Sequence, residues 1–262
     1  SGSRRWRKTG TKKENRQNRP EAPFKEDWKA NQKKPTLKRI ENGLEKMIWT
    51  RTFILLLLLL FAGNSFGQQQ APRLFSELIM SQQIDTLRSQ FNYNKFFYEK
   101  YELQTLIALS YFPELKNTTI SFKRRELRTT MAARPKGIEV FREKGKRGYI
   151  IYINDFPSAK ISPDSISFNA QIGVIGHELA HLVDYEQTSS LKMLIVGFSY
   201  LNKKFRTKFE RATDLRTINH GLLWQCYDFA LYVHNSSIAP AEYINYKKKF
   251  YMSPEEIKKR SN

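Results

Sequence analysis

Two histidines four residues apart, with a glutamate directly after the first, stand in the apolar run Val174-Ile175-Gly176-His177-Glu178-Leu179-Ala180-His181-Leu182-Val183-Asp184-Tyr185. On a helix, the spacing His177-Glu178-x-x-His181 places both imidazoles one turn apart on the same face. The glutamate then lies close enough to act on water at a shared metal ion. A helix is predicted to start at Ala170, capped by Asn169, and to run to about Tyr185. Ile172, Ile175, Leu179, Leu182 and Val183 supply its buried surface. Gly173 and Gly176 lie inside it, each at about 1 kcal/mol in helix propensity. Two such penalties predict close packing there, against a sheet.

Two histidines hold zinc weakly, and a catalytic site requires a third protein ligand with one position left open. The residue six beyond His181 is Gln187, and position 184 is Asp rather than Gly, so a third histidine on an extended motif is missing. Asp184 is near the same face, but an i, i+4, i+7 set on one helix rarely converges on one ion. The better source is Phe209-Glu210-Arg211-Ala212-Thr213-Asp214, about 30 residues downstream. There Glu210 and Asp214 share one face of a second helix. Glu210 can complete the ligand set, and Asp214 can accept a hydrogen bond from the far ring nitrogen of His177, fixing its tautomer.

Together, His177-Glu178-x-x-His181 and Glu210-x-x-x-Asp214 resemble the gluzincin branch of zinc metallopeptidases, the branch of thermolysin. Val174 and Ile175 before the motif, uncharged Leu179 and Ala180 within it, and Leu182 and Val183 after it fit the same pattern. The resemblance covers residues 148–221, does not extend to thermolysin's size or other domains, and is closest to small exported bacterial proteins of this type. It implies an α+β, zincin-like fold: a small mixed or antiparallel sheet, an active-site helix and a mostly helical C-terminal half. It implies one Zn²⁺ ion held by His177, His181 and Glu210, with Glu178 as general base toward a peptide or protein substrate. It also implies that the strand Tyr149, Ile150, Ile151, Tyr152 and Ile153 is the edge along which an extended peptide lies. No motif identifies the group that stabilises the oxyanion. His220, His234, Tyr227 and Tyr232 are available. His220 stands about 80° round the helix from Glu210, either bordering the site or serving as a C-terminal histidine favoured by the helix dipole.

The formal charge of +20 over 262 residues mixes unlike segments. Residues 1–46 are basic and polar and are expected to be disordered, an extension that is not native if Met47 is the true start. From Met47, one positive charge precedes an apolar core of about ten residues, Phe53 to Ala62, and a small-residue exit ending at Gly67. Residues 47–67 therefore read as a signal peptide, with an uncleaved signal anchor as the alternative. The core is about half of the roughly 20 apolar residues that a permanent span requires. Residues 68–262 are expected to form one domain that is exported, to the periplasm or beyond. It keeps a net charge of roughly +10, which fits an anionic envelope polymer as a further partner. Nothing resembles a nucleic-acid module. The single cysteine, Cys226, excludes an intrachain disulfide and lies in an apolar helical context that predicts burial.

Elsewhere, two helices are expected between Phe75 and Tyr111, broken near Asn92-Tyr93-Asn94. Strands are expected at Thr119–Phe122, Thr129–Arg134 and Gly148–Asn154, the last being the strongest signal in the chain. Arg142–Arg147 reads as a solvated hairpin turn. Ser189–Phe205 reads as a helix packed on the core, or else as a lid or membrane-touching segment over the site. Lys208–His220 and Leu222–His234 read as helices, with Gly221 between them, and Ser253-Pro254-Glu255-Glu256 opens a short last one. Three outcomes remain open: an exported zinc peptidase, a metal-binding envelope protein without turnover, and an envelope-maintenance protease anchored by Phe53–Ala62. Glu178 favours a peptidase, because a structural metal site has no use for that base.

Overall fold

A computed structural model describes residues 70–235 and 239–261. The segments read from sequence as a basic extension, 1–46, and a signal peptide, 47–67, lie outside these. The described residues belong to one compact unit, and none of their helices is long and apolar enough to cross a membrane.

Four strands form one mixed sheet. They are β1 (Lys95–Phe96), β2 (Thr119–Arg124), β3 (Met131–Pro135) and β4 (Gly148–Ile153), in the order β1-β2-β4-β3. β1, β2 and β4 are parallel, and β3 runs antiparallel to β4, with Ala133 opposite Ile151. The β-branched and aromatic run Gly148–Ile153 is therefore central rather than an edge. β2 pairs one side of it along its whole length and β3 pairs the other, so its backbone has no free side for a substrate. Its composition explains the position: Tyr149, Ile151 and Ile153 are fully buried, as in a strand covered on both faces. The edge beside the helix that carries His177 and His181 is β3.

The N-terminal region is more broken than its helical spacing predicts. It contains α1 (Glu77–Ser81), α2 (Ile84–Phe91), the short β1, and α3 (Glu102–Ser110). Asn94 takes φ +55°, a left-handed conformation that Asn tolerates, and this turns the chain into β1. Arg88 on α2 grips Glu102 on α3 through Nε and Nη2, at 2.7 and 2.8 Å.

Helix α4 (Phe168–Gln187) carries the two-histidine motif and is buried from Ala170 through Val183 except at Gln171. Its cap is Ser167, whose Oγ accepts from the Ala170 amide, not Asn169. Asn169 instead exchanges two hydrogen bonds with the backbone of Phe75, tying down the incoming chain. The two glycines do mark close approach, but to a helix rather than the sheet. A Cβ at Gly173 would overlap the carbonyl of Gln225, and one at Gly176 would lie 2.6 Å from Leu222 Cδ1. Gln225 belongs to α7 (Leu223–Asn235), which packs along α4. Each fully buried Ile or Leu on α4 contributes about 1.5–3 kcal/mol.

Next come α5 (Ser190–Ser199) and α6 (Lys203–Thr217). The expectation that the apolar run 189–205 packs on the core fails: Met193 alone is buried within α5, because that helix lies outside the core with its apolar stripe outward. After α6 a wide π-helical turn over Ile218–Leu222 kinks the chain at Gly221, which takes φ +96°. The chain ends in α8 (Ala241–Phe250) and α9 (Pro254–Lys258), the latter opened by a complete capping box between Ser253 and Glu256. Cys226 is buried. The Arg142–Arg147 turn is solvated only in part. Arg147 is 3 % exposed and spans from the turn to α4. Its guanidinium donates to the carbonyls of Arg142, Tyr185 and Thr188 and to Ser190 Oγ, so it satisfies carbonyls that the C-terminus of α4 leaves open.

Candidate metal centre

The one-turn spacing on α4 brings His177 and His181 edge to face, with ring centres 4.8 Å apart and planes at 87°. α6 crosses α4 and delivers Glu210 between them. Glu210 Oε2 lies 3.2 Å from His177 Nε2 and 3.5 Å from His181 Nε2. Ligand atoms bonded to one tetrahedral zinc at about 2.0–2.1 Å are separated by roughly 3.3 Å. His177, His181 and Glu210, all buried, are the group among the described residues whose ligand atoms converge closely enough to share a metal ion, within 4.8 Å of one another. Asp184, on the same helix, pairs with Arg216 instead.

Each ring is held from behind. His177 Nδ1 meets Asp214 Oδ1 at 2.8 Å, and the other carboxylate oxygen of Asp214 accepts from the Met252 amide at 2.8 Å. His181 Nδ1 pairs with Thr213 Oγ1 at 3.3 Å, and its ring stacks on Phe209, with centres 5.3 Å apart. These contacts leave the Nε2 atoms of both histidines facing Glu210, the tautomers that a shared ion requires.

The electrostatics ask for a cation. Burial pushes the His177 imidazole down, but its hydrogen bonds to Asp214 and Glu210 outweigh this and hold it up at about 10. Burial likewise pushes Glu210 up, yet both histidines hold it well below the usual carboxylate range. The carboxyl groups of Glu210 and Asp214, both buried, meet one imidazole, a setting that favours a cation there, a proton on His177 or a metal ion. The donor set and its distances fit a divalent metal ion, Zn²⁺ among them.

Glu178 points to the sheet edge. Its Oε2 accepts from the Ala133 amide of β3 at 2.6 Å. Asn154 and Lys136 direct their amides across the β3–β4 ladder to Thr130 and Gly148, which turns Met131, Ala133 and Pro135 toward the outer side. That outer side faces α4. A narrow cavity of about 30 Å³ adjoins His177 and Glu178, lined by Met131, Phe229, Lys247 and Tyr251 among others.

The groups open as oxyanion stabilisers fare unequally. His220 is spent elsewhere: Nδ1 bonds the Arg216 carbonyl at 2.7 Å, Nε2 bonds Glu114 at 2.6 Å, and the ring stacks on Phe112. Because both nitrogens are engaged and it does not line the cavity, its reading as a catalytic group is corrected to a structural one. Of the rest, His234 lines the cavity, and Tyr227 and Tyr232 do not. Three groups that sequence reasoning missed border the site. Tyr200, just after α5, donates to Glu210 Oε1. Tyr251 lies 5.5 Å from His177, ring to ring, and Lys247 Nζ sits 3.8 Å from the centre of the Tyr251 ring. No spacing relative to the histidines signals them, since Tyr200 ends α5 while Lys247 and Tyr251 lie on and just after α8, and only tertiary packing brings these elements to the site. Compared with protein-family models, curated proteins and solved structures, the chain finds no match.

Proposed function

We propose that the chain is an exported zinc-dependent metallopeptidase of gluzincin type, hydrolysing peptide bonds with Glu178 as general base. The observation that carries this is one convergence. A buried His177–His181–Glu210 triad and a carboxylate that is not one of its ligands meet beside the outer side of an edge strand. A zinc ion held by His177, His181 and Glu210 would supply Lewis acidity toward a carbonyl and would lower the pKa of water toward about 7. Glu178 accepts the proton of the attacking water and returns it to the leaving nitrogen. β3, not β4, orients the extended peptide. Tyr251 and Lys247, beside His177, receive the developing negative charge. Burial and the nearby carboxylates raise the Tyr251 hydroxyl well above its ordinary pKa, so it stays a donor.

The test measures bound zinc and peptide-library cleavage for wild type and Glu178→Ala. Wild type is expected to bind one zinc and cleave. The variant is expected to keep the zinc and lose about 10²–10⁴-fold in rate. Unchanged cleavage by the variant sinks the role of Glu178. Zinc retained with no cleavage by either protein favours a metal-binding envelope protein.

A further inference from the structure

Helix α5 presents its apolar stripe outward. Leu191, Leu194, Ile195 and Phe198 follow i, i+3, i+4, i+7 spacing and are 70, 38, 55 and 76 % exposed. Leu201, just beyond, is 78 % exposed. In a helix docked on its own core this stripe faces inward, and a contiguous apolar patch of this kind marks an interaction surface. The turn at Gly137–Phe141 packs beside α5 and extends the patch with Ile138 and Phe141, both exposed.

The charges around the patch identify its partner. Between Glu186 and Glu210 the chain has no acidic residue, while Lys192, Lys203, Lys204, Arg206 and Lys208 are all basic. Lys192, Lys203, Lys204 and Lys208 are exposed. An apolar stripe flanked by lysines, on a helix too short to span, matches an element that lies in the plane of an anionic lipid surface. Its apolar side chains enter the headgroup boundary and its ammonium groups meet lipid phosphates. The turn and its flanks add exposed Lys136, Arg142, Lys144 and Lys146 against Glu139 and Glu143, so the rim carries both signs but is predominantly basic.

We propose that α5 and the adjoining turn dock the protein on an anionic membrane surface. Tyr200 follows the docking helix directly and donates to Glu210, so the metal centre stands at one end of the docked face, within reach of polypeptide at the bilayer surface. Docking does not depend on the peptidase reading, because lipid binding requires no hydrolysis.

The experiment places an environment-sensitive fluorophore on Phe198→Cys in the full chain, where the buried Cys226 stays unlabelled. Asp85→Cys on α2, whose native side chain is 90 % exposed, serves as control. A local probe separates docking by α5 from retention by any other segment. With phosphatidylglycerol-containing vesicles the position-198 signal is expected to rise several-fold and to be quenched by nitroxide-bearing lipid, while position 85 stays unchanged. Replacing Lys192, Lys203 and Lys204 by Gln is expected to weaken the vesicle concentration dependence of that signal on the order of 100-fold. A probe at 198 that stays in water on chain-bearing vesicles overturns the proposal. So does an equal response to pure phosphatidylcholine, or shielding without lipid that grows with protein concentration, which would assign the stripe to a second copy of the chain.

Discussion

His177 stands between two carboxylates and can serve only one master at Nε2, so the orientation of its ring decides what the centre binds. Asp214 sets that orientation, and is itself fixed by the Met252 amide. Asp214→Asn keeps the shape but removes the charge that makes the imidazole a strong ligand. Zinc affinity is expected to fall about 10–100-fold by competition with a chelating dye, while Asp228→Asn, at the pair with Arg73, leaves it unchanged. At this scale the sequence was highly readable for residues whose partners lie one helical turn away. His177 with His181, and Glu210 with Asp214, declare a shared face through spacing alone. Tyr200, Lys247 and Tyr251 lie on or beside α5 and α8, and nothing local links them to the histidines. His220 misled because an angle round a helix axis says nothing of the turn that breaks the helix. Gly221 supports that turn, and Glu114 and Phe112 then capture the ring.

Among the elements, α4 depends on the absence of two side chains. Gly173→Ala gains about 1 kcal/mol in helix propensity, but its methyl would meet the backbone carbonyl of Gln225, which cannot swing aside as a side chain can. The net effect expected in urea unfolding is a loss of about 1–3 kcal/mol. Gly197→Ala on α5, where nothing lies within 4 Å of the new Cβ, is expected to stabilise by about 0.5–1 kcal/mol. Opposite signs for one substitution in two helices would show that packing rather than propensity retains Gly173. The glycines were legible as a sign of close approach, but not the partner, since α4 has the sheet on one side and α7 on another. The strongest strand signal was legible as a strand, but composition does not show which neighbours it pairs with. β3, the edge strand beside α4, is the less emphatic Met131–Pro135. The apolar run at 189–205 reads first as packed on the core, by the ordinary rule that apolar stripes are buried, with a lid or membrane-touching segment as the alternative. The rule fails here because α5 turns that stripe outward.

For the molecule as a whole, a metal ion held by His177, His181 and Glu210 would join α4 to α6 and add to the stability of the fold. Ligand at 100 times its dissociation constant adds about 2.7 kcal/mol, which for a domain of this size is a shift of roughly 5–10 °C in Tm. Chelation is expected to lower Tm by that amount in a thermal scan and re-addition of zinc to restore it; a Tm indifferent to chelator would remove the ion from the folding balance. The α+β arrangement of sheet, central helix and helical C-terminal half followed from the order of strand and helix signals, whereas the sheet order did not, because it is set by which strands meet after the chain crosses over. That order leaves β3 exposed at one border, and three details disarm it. The Ala133 amide is engaged by Glu178, the Met131 carbonyl accepts from Thr129 Oγ1 at 2.8 Å, and Pro135 has no amide to give. Of the outward backbone groups, the Met131 amide and the carbonyls of Ala133 and Pro135 are left to receive a peptide. A border with so few open rungs is a poor template for another copy of the same sheet, and the carboxylate read as the base of the reaction is also one of the groups that keep these molecules from stacking strand on strand.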